Sequence, residues 1–215
     1  MRGGFTRSGA VIRSDNLAHL TPEGREAMRA YGVTTVVDLR SAGELARAPS
    51  PFAGGAGAVY LHRELIDDSD MNEIGDSESM LERYLYIVNT RPAAFRAVFE
   101  AIAFADGCVL FHCFAGKDRT GLVAAMLLEL AGVARDDIAT DYGETDIQLA
   151  SQYEKWIAEA PAVKRAGFMD ELRCPPERIL GVLDHIDQRW GGVGSYLEAA
   201  GTPPAALDRL ATRLE

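Results

Sequence analysis

Several things are scarce in these 215 residues, and each scarcity excludes something. Three cysteines (Cys108, Cys113, Cys174) are too few for a disulfide framework, so a reducing, cytoplasmic setting is the expectation. Long apolar runs are missing. The longest, residues 122–134, is interrupted by Glu129 and is too short to cross a bilayer, so no stable membrane insertion is expected. The opening MRGGFTRSGA lacks the apolar stretch of a secretory signal. Internal repeats and low-complexity tracts are absent. Lysine is rare, three against 19 arginines, a bias from which nothing functional follows. What is present is ordinary globular material, 47% hydrophobic, which excludes disorder as the main state.

The formal net charge is −10. A field of that sign argues against nucleic acid and anionic membrane as bulk partners. It is unevenly laid out, because residues 64–82 hold eight carboxylates (Glu64, Asp67, Asp68, Asp70, Glu73, Asp76, Glu78, Glu82) and no Lys or Arg. The remainder has 24 acids against 22 bases, so a local site for a single anion is compatible with the total.

Along the chain, Thr21 as N-cap, Pro22 as first helical residue and Gly32 as stop predict a helix over 22–31. The β-branched run 33–39 reads as a buried strand and 59–61 as a second. A Gly/Ala/Pro-rich loop occupies 48–57. Within 65–90 an acidic mobile loop or lid is expected, becoming helical from about Glu78, with Met80, Leu81, Tyr84, Leu85 and Val88 on one face. Further helices are expected over 92–104 and 122–130, with an apolar strand at 108–111 between them. The rest reads as helices punctuated by Pro and Gly. Strands alternating with helices predict an α/β fold. We expect a single domain over 1–215, a small, mostly parallel central sheet flanked by helices, and a helical C-terminal half.

Between the strand at 108–111 and the helix after it lies HCFAGKDRTG, residues 112–121, in which Cys113 and Arg119 stand in Cys-x5-Arg spacing. Neither Cys108 nor Cys174 repeats the spacing. In such a loop the backbone N–H groups of Phe114, Ala115, Gly116, Lys117, Asp118 and Arg119 can converge on one anion, with a helix N-terminus behind them. An arginine can grip two phosphate oxygens at once. A positive surrounding favours thiolate over thiol, and a thiolate beneath a phosphoryl group is set for in-line attack. Thr120 could hydrogen-bond the sulfur, Lys117 could add a second cation, and Gly116 and Gly121 allow an unusual backbone angle and close packing. His112 reads as an orienting hydrogen-bond partner.

These residues resemble the phosphate-binding loop of the protein tyrosine phosphatase superfamily, most closely its atypical bacterial branch with mycobacterial and Listeria members. The likeness extends to Arg13-Ser14-Asp15-Asn16-Leu17, to Gly32 through Asp38-Leu39-Arg40 with Glu44, to Asp141-Tyr142, and to Gly191, Tyr196-Leu197 and Gly201. It implies a hydrolase that needs no metal or other cofactor, works through a phosphocysteine, and acts on phosphotyrosine. In this branch phosphoserine/threonine or phosphoinositides are often further substrates. It also implies that phosphate and vanadate bind in the loop.

The leaving oxygen needs a proton, so a carboxylic acid should face the loop. The Trp-Pro-Asp tripeptide that supplies it in familiar members is missing here. Two candidates remain, Asp118 inside the loop and the pair Asp67/Asp68; the alternative for the first is a structural brace, for the second a solvated acidic loop. At the end of the first strand, Arg40 is expected to pair with Glu44 in a structural role. His19, His62 and His185 lack metal-ligand spacing. Trp156 and Trp190, on amphipathic helices, read as core. Lipid-directed loops usually carry a basic residue directly after the Cys; Phe114 stands there, which favours phosphoprotein over phosphoinositide. A phospho-binding module without catalysis is the competing class, and it has no need of the thiolate.

Overall fold

A computed structural model of the chain describes residues 5–55, 57–73 and 79–215. In chain order the first elements are β1 (Val11–Ser14), α1 (Pro22–Tyr31), β2 (Val33–Asp38), α2 (Ala42–Arg47), β3 (Val59–His62), α3 (Asp68–Glu73), α4 (Met80–Thr90) and α5 (Pro92–Phe104). Then come β4 (Cys108–His112), α6 (Asp118–Leu130), α7 (Arg135–Gln148), α8 (Ala150–Glu159) and α9 (Arg165–Leu172). The chain closes with α10 (Pro176–Trp190), α11 (Val193–Ala199) and α12 (Pro204–Arg213).

The four strands form one sheet in the order β1-β4-β2-β3, and every neighbouring pair is parallel. β4 lies between β1 and β2 and all five of its residues are buried. Its side chains alternate between two apolar layers, as the two-residue period of a strand requires. Val109 and Phe111 enter the larger core with Val37, Leu39 and the inner faces of α4, α5, α6, α7, α10 and α11. Cys108 and Leu110 enter a smaller one with Val33, Val36, Leu17 and Phe52. Val33 and Val36 share that side, three residues apart, because the β2–β4 register shifts between Val33 and Thr35. A parallel sheet gathers ligand sites at the carboxyl ends of its strands; for β4 that end is His112.

Local chemistry sets the helix ends. Thr21 caps α1 through Gly24 N–H at 3.1 Å, and Gly32 closes it at φ +100°. Ser41 with Glu44, and Ser79 with Glu82, form capping boxes on α2 and α4. Three expectations change. The helix after the loop begins at Asp118 rather than 122, so Asp118, Arg119, Thr120 and Gly121 form its first turn. β1 is a strand that the sequence pattern did not mark. Where a loop was expected after residue 67, α3 stands, while Asp76 and Glu78 lie outside the described residues.

Candidate active site

The segment from His112 to Asp118 leaves β4, turns, and enters α6. Gly116 makes the turn. Its φ of +68° disfavours any L side chain, and a Cβ there would stand 2.6 Å from the Ser14 carbonyl oxygen and 2.8 Å from Asp15 N. The end of β1 therefore packs directly beneath the loop. Asn16 N–H donates to the Phe114 carbonyl at 3.1 Å. Arg13 donates to the Gly116 carbonyl (3.0 Å), to Thr145 Oγ1 (3.0 Å) and to the Asp141 carboxylate (2.7 Å), tying the loop to α7. At Gly121 a Cβ would meet the Tyr142 ring at 3.0 Å, which explains the close approach of α7 to α6. Among the described residues, the N–H groups of residues 114–120 find no acceptor within the protein. Cys113, just before this run, is 2% exposed.

Arg119 projects from the first turn of α6 and meets Glu44 end-on, Nη1 to Oε2 at 2.5 Å and Nη2 to Oε1 at 2.8 Å. Guanidinium has five N–H groups in a fixed fork. Two go to Glu44, and Nε–H with the outer Nη hydrogens remain available for a second bidentate partner. Glu44 Oε2 also accepts from Ser41 N–H at 2.8 Å, so the α2 capping box holds the carboxylate still. Burial pushes the Glu44 carboxyl up, but the Arg119 fork and Ser41 outweigh it and the net direction is down. Arg119 itself is held further into its protonated range: burial works against that, and Glu44 and Cys113 outweigh it.

The expected Arg40–Glu44 pair is not formed. Arg40 instead closes on Asp38, Nε to Oδ1 at 2.9 Å and Nη2 to Oδ2 at 2.6 Å, both side chains fully buried. Residues two apart on an extended segment project to one side, whereas Glu44 sits on α2 facing Arg119. Tyr60 O–H donates to Asp38 Oδ2 at 2.9 Å, and Arg40 Nη1 reaches Asn16 Oδ1 (3.0 Å) and the Ala48 carbonyl (2.7 Å). His112 lies beside this cluster. Its Nδ1 is 3.0 Å from the Cys113 carbonyl, which places a proton on that nitrogen, and Nε2 is 3.5 Å from Asp38 Oδ2. Burial lowers the His112 pKa, against a smaller opposing pull from Asp38. The orienting role fits this geometry.

The two acid candidates have different surroundings. Asp118 Oδ1 accepts from Tyr84 O–H at 2.5 Å and stands 3.1 Å from Lys117 Nζ. Tyr84 is buried and shares a 2.9 Å bond with Tyr142 O–H. Burial pushes the Asp118 carboxyl up, but Lys117 and Tyr84 outweigh it and hold it below its ordinary value. Asp67 is turned to its own neighbourhood. It accepts from Ser69 and from Asp70 N–H, pairs with Arg91 at 3.0 Å, and is lowered to about 2, chiefly by the Ser69 and Asp70 bonds. No hydrogen bond or ion pair joins Asp67 to residues 112–119. Asp68 binds Ser41 O–H (2.5 Å) and Gly43 N–H (2.9 Å), and Glu64 accepts from Ala42 N–H (2.7 Å). Several carboxylates of the acidic segment thus serve α2 and Arg91, where a solvated loop was one reading.

Thr120 Oγ1 is buried with no hydrogen-bond partner, so the expected bond to sulfur is not made in this conformation. Lys117 is buried, not solvated, and its Nζ donates to the Glu171 carbonyl at 2.5 Å. Beside the loop opens a cleft of about 790 Å³, lined in part by Phe114, Ala115, Lys117 and Asp118 from the loop and first turn of α6. Trp156, expected in the core, lies on its wall and stacks on Phe114, with ring centroids 6.4 Å apart at 23°. Trp190 does pack inside, against Tyr196 and His185. Sequence reasoning missed Glu44 as the partner of Arg119, and read Tyr84 and Trp156 only as packing residues. Only the S-x-x-E signature at Ser41–Glu44 could have marked the first, by fixing α2.

The model of the tyrosine phosphatase family matches residues 1–215. A tyrosine-protein phosphatase from Nostoc commune is 32% identical over 219 residues, covering 95% of this chain and 74% of the relative. The triple specificity protein phosphatase PtpB of Mycobacterium tuberculosis is 31% identical over 248 residues, covering 95% and 90%. Among solved structures, P. aeruginosa TpbA in complex with pTyr aligns over 93% of this chain and 97% of its own, at 18% identity and a TM-score of 0.42. The chain belongs to the tyrosine phosphatase family.

Proposed function

We propose that the chain is a cysteine-dependent phosphomonoester phosphatase acting on phosphotyrosine, its residues 1–215 forming one phosphatase domain. The observation that carries the reading is the run of backbone N–H groups at 114–120, directly after Cys113, that finds no acceptor among the described residues, with the Arg119 fork pinned by Glu44. Three phosphoryl oxygens accept from the loop N–H groups of Phe114, Ala115, Gly116 and Lys117 and from the free face of Arg119. The Cys113 thiolate attacks phosphorus, the P–O bond to the substrate breaks, and the leaving oxygen takes a proton from Asp118. Water then attacks the phosphocysteine, its proton passes to the Asp118 carboxylate, and the P–S bond breaks to return the thiolate. Asp118 is favoured over Asp67 because it lines the cleft beside the loop while Asp67 faces Arg91. Thr120 Oγ1, buried and unpartnered, has a hydrogen to spare for the departing sulfur, which supports that role for it.

The name of the mycobacterial relative, triple specificity phosphatase, supports phosphoserine/threonine as further substrates. Phosphoinositide is the weaker reading, because the one added cation, Lys117, is already engaged by Asp118 and the Glu171 carbonyl. The test is hydrolysis of a generic aryl phosphate in the presence of EDTA. Activity is expected, with inhibition by vanadate and loss in Cys113→Ser. Turnover surviving that substitution, or abolished by EDTA, overturns the mechanism.

A further inference from the structure

The cleft beside the loop has more wall than a phosphate and one aromatic ring require. Its volume of about 790 Å³ falls in the range of sites that enclose a sizeable ligand. Pro161, Val163 and Phe168 continue the apolar surface begun by Phe114 and Trp156. Phe114, stacked on Trp156, is still 48% exposed and Val163 is 91% exposed, so the described residues leave apolar surface open here. Among the described residues its charge is mainly negative: Asp118, Glu159 and Glu171 bring three carboxylates, Glu171 3.5 Å from Arg83, and the described lining cation, Lys117, is tied to Asp118 and to a carbonyl. Glu159 is exposed, and among the described residues it has no ion-pair partner. The Arg165 guanidinium, nearby in sequence, is turned back onto the carbonyls of Ala158 and Ala160.

We propose that this cleft is a subsite for the polypeptide flanking the phosphorylated residue, and that it selects an apolar neighbour followed by a basic one. The inference rests on the phosphatase reading above and deepens it. Position carries it first: Phe114 is adjacent in sequence to Cys113, so a chain whose phosphate sits in the loop lays its next residues along Phe114 and Trp156. Charge carries it second: Lys or Arg on the substrate meets the exposed Glu159, since Glu171 already faces Arg83 at 3.5 Å. A polyphosphorylated inositol would bring further phosphates against these carboxylates, where Lys117 is already engaged by Asp118 and a carbonyl. The substrate class is therefore a phosphoprotein segment with apolar and basic flanks.

The experiment uses two phosphotyrosine peptides that differ only in the flank, Leu-Lys-Lys against Leu-Glu-Glu, and vesicles containing a phosphoinositide. Exposed ion pairs change affinity by up to about fivefold each, so wild type should prefer the basic peptide by about tenfold in kcat/KM. Glu159→Lys, a surface change, should cut that preference at least threefold. Trp156→Ala should raise KM for both peptides more than for a small aryl phosphate. Binding of the same peptides to Cys113→Ser by calorimetry gives a readout that needs no turnover. A wild type inactive on every phosphate would sink the phosphatase reading while leaving the calorimetric preference to decide the subsite. Equal handling of both peptides, a preference untouched by Glu159→Lys, or phosphoinositide turnover matching that of the basic peptide overturns the proposal.

Discussion

Replacing Gly116 by Ala tests whether the loop owes its shape to the backbone of β1. Two costs combine. An L residue held at φ +68° is strained by roughly 1–2 kcal/mol. The new Cβ would also stand 2.6 Å from the Ser14 carbonyl oxygen and 2.8 Å from Asp15 N. Both are main-chain atoms of the strand that carries Arg13, so neither can swing aside as a side-chain tip would. Forced overpacking of that sort costs roughly 1–3 kcal/mol. Gly116→Ala should therefore lose about 2–5 kcal/mol in urea unfolding if the loop stays put. If the loop moves instead, it must retreat by about half an ångström or more, and with it the N–H groups proposed to hold phosphate. Misplacement of 1 Å can cost about a hundredfold in rate, so kcat/KM on an aryl phosphate should fall by roughly tenfold or more. Gly54→Ala is the control, because its Cβ would meet nothing within 4 Å; its stability should stay within about 0.5 kcal/mol. A Gly116→Ala protein matching its parent in both assays would refute the account of the loop.

Removing the Arg119 partner with Glu44→Ala leaves a buried guanidinium unpaired, for a loss of about 3–5 kcal/mol in chemical denaturation and weaker vanadate inhibition; unchanged inhibition would count against the pinning role. Glu44 and Asp38 are both held below their ordinary values, so the stability they contribute is present above about pH 4 and lost as pH falls through the depressed native values. Thermal unfolding between pH 5 and 2.5 should show that loss, and a smaller slope in Glu44→Ala. Asp118→Asn should slow substrates with poor leaving groups by about 10²–10⁴ and spare activated ones, whereas Asp67→Asn should do neither; the reverse pattern reassigns the acid. Tyr84→Phe removes a donor to the Asp118 carboxylate, so the basic limb of the kcat–pH profile should move to higher pH; a profile that stays in place would leave Tyr84 with packing alone.

What was legible in the sequence is what local chemistry decides. Thr21, Pro22 and Gly32 bound α1 without help from the rest of the chain, and Pro92 opens α5 where its missing N–H does no harm. The β-branched run of β2 needed only its propensity. β1 could not be seen that way: VIRS is four residues, half of them polar, with no fully buried side chain. It is a strand because β4 presents an edge to it. The start of α6 was misread for a related reason, since no side-chain cap marks Lys117. At the site, Cys113 and Arg119 show through their spacing, but the partner of Arg119 lies 75 residues away on another helix. Asp38 was nearer to Arg40 than Glu44 in both sequence and direction, and the extended segment between them decided the pair. Tyr84 and Trp156 look alike as aromatic residues at helical spacing. Packing sends one inward to Asp118 and turns the other onto Phe114.

The net charge of −10 and an anionic ligand are reconciled at shorter range than the sequence suggests. Around the loop the formal charges cancel: Arg119 is matched by Glu44, and Lys117 by Asp118. Attraction for a phosphate therefore does not come from an excess of cations there. In the proposed function it comes from the N–H groups of 114–120, the first turn of α6 behind them, and the open face of one arginine whose other face is fixed. Such a site discriminates by geometry. A diffuse anion gains little from dipoles aimed at one point, while a tetrahedral dianion can accept from several at once. The carboxylates of the acidic segment, engaged with α2 and Arg91, sharpen this by holding Ser41 and so Glu44 in place. Acidity that looked like an obstacle to phosphate binding is part of the scaffold that orients Arg119, the arginine proposed to grip phosphate.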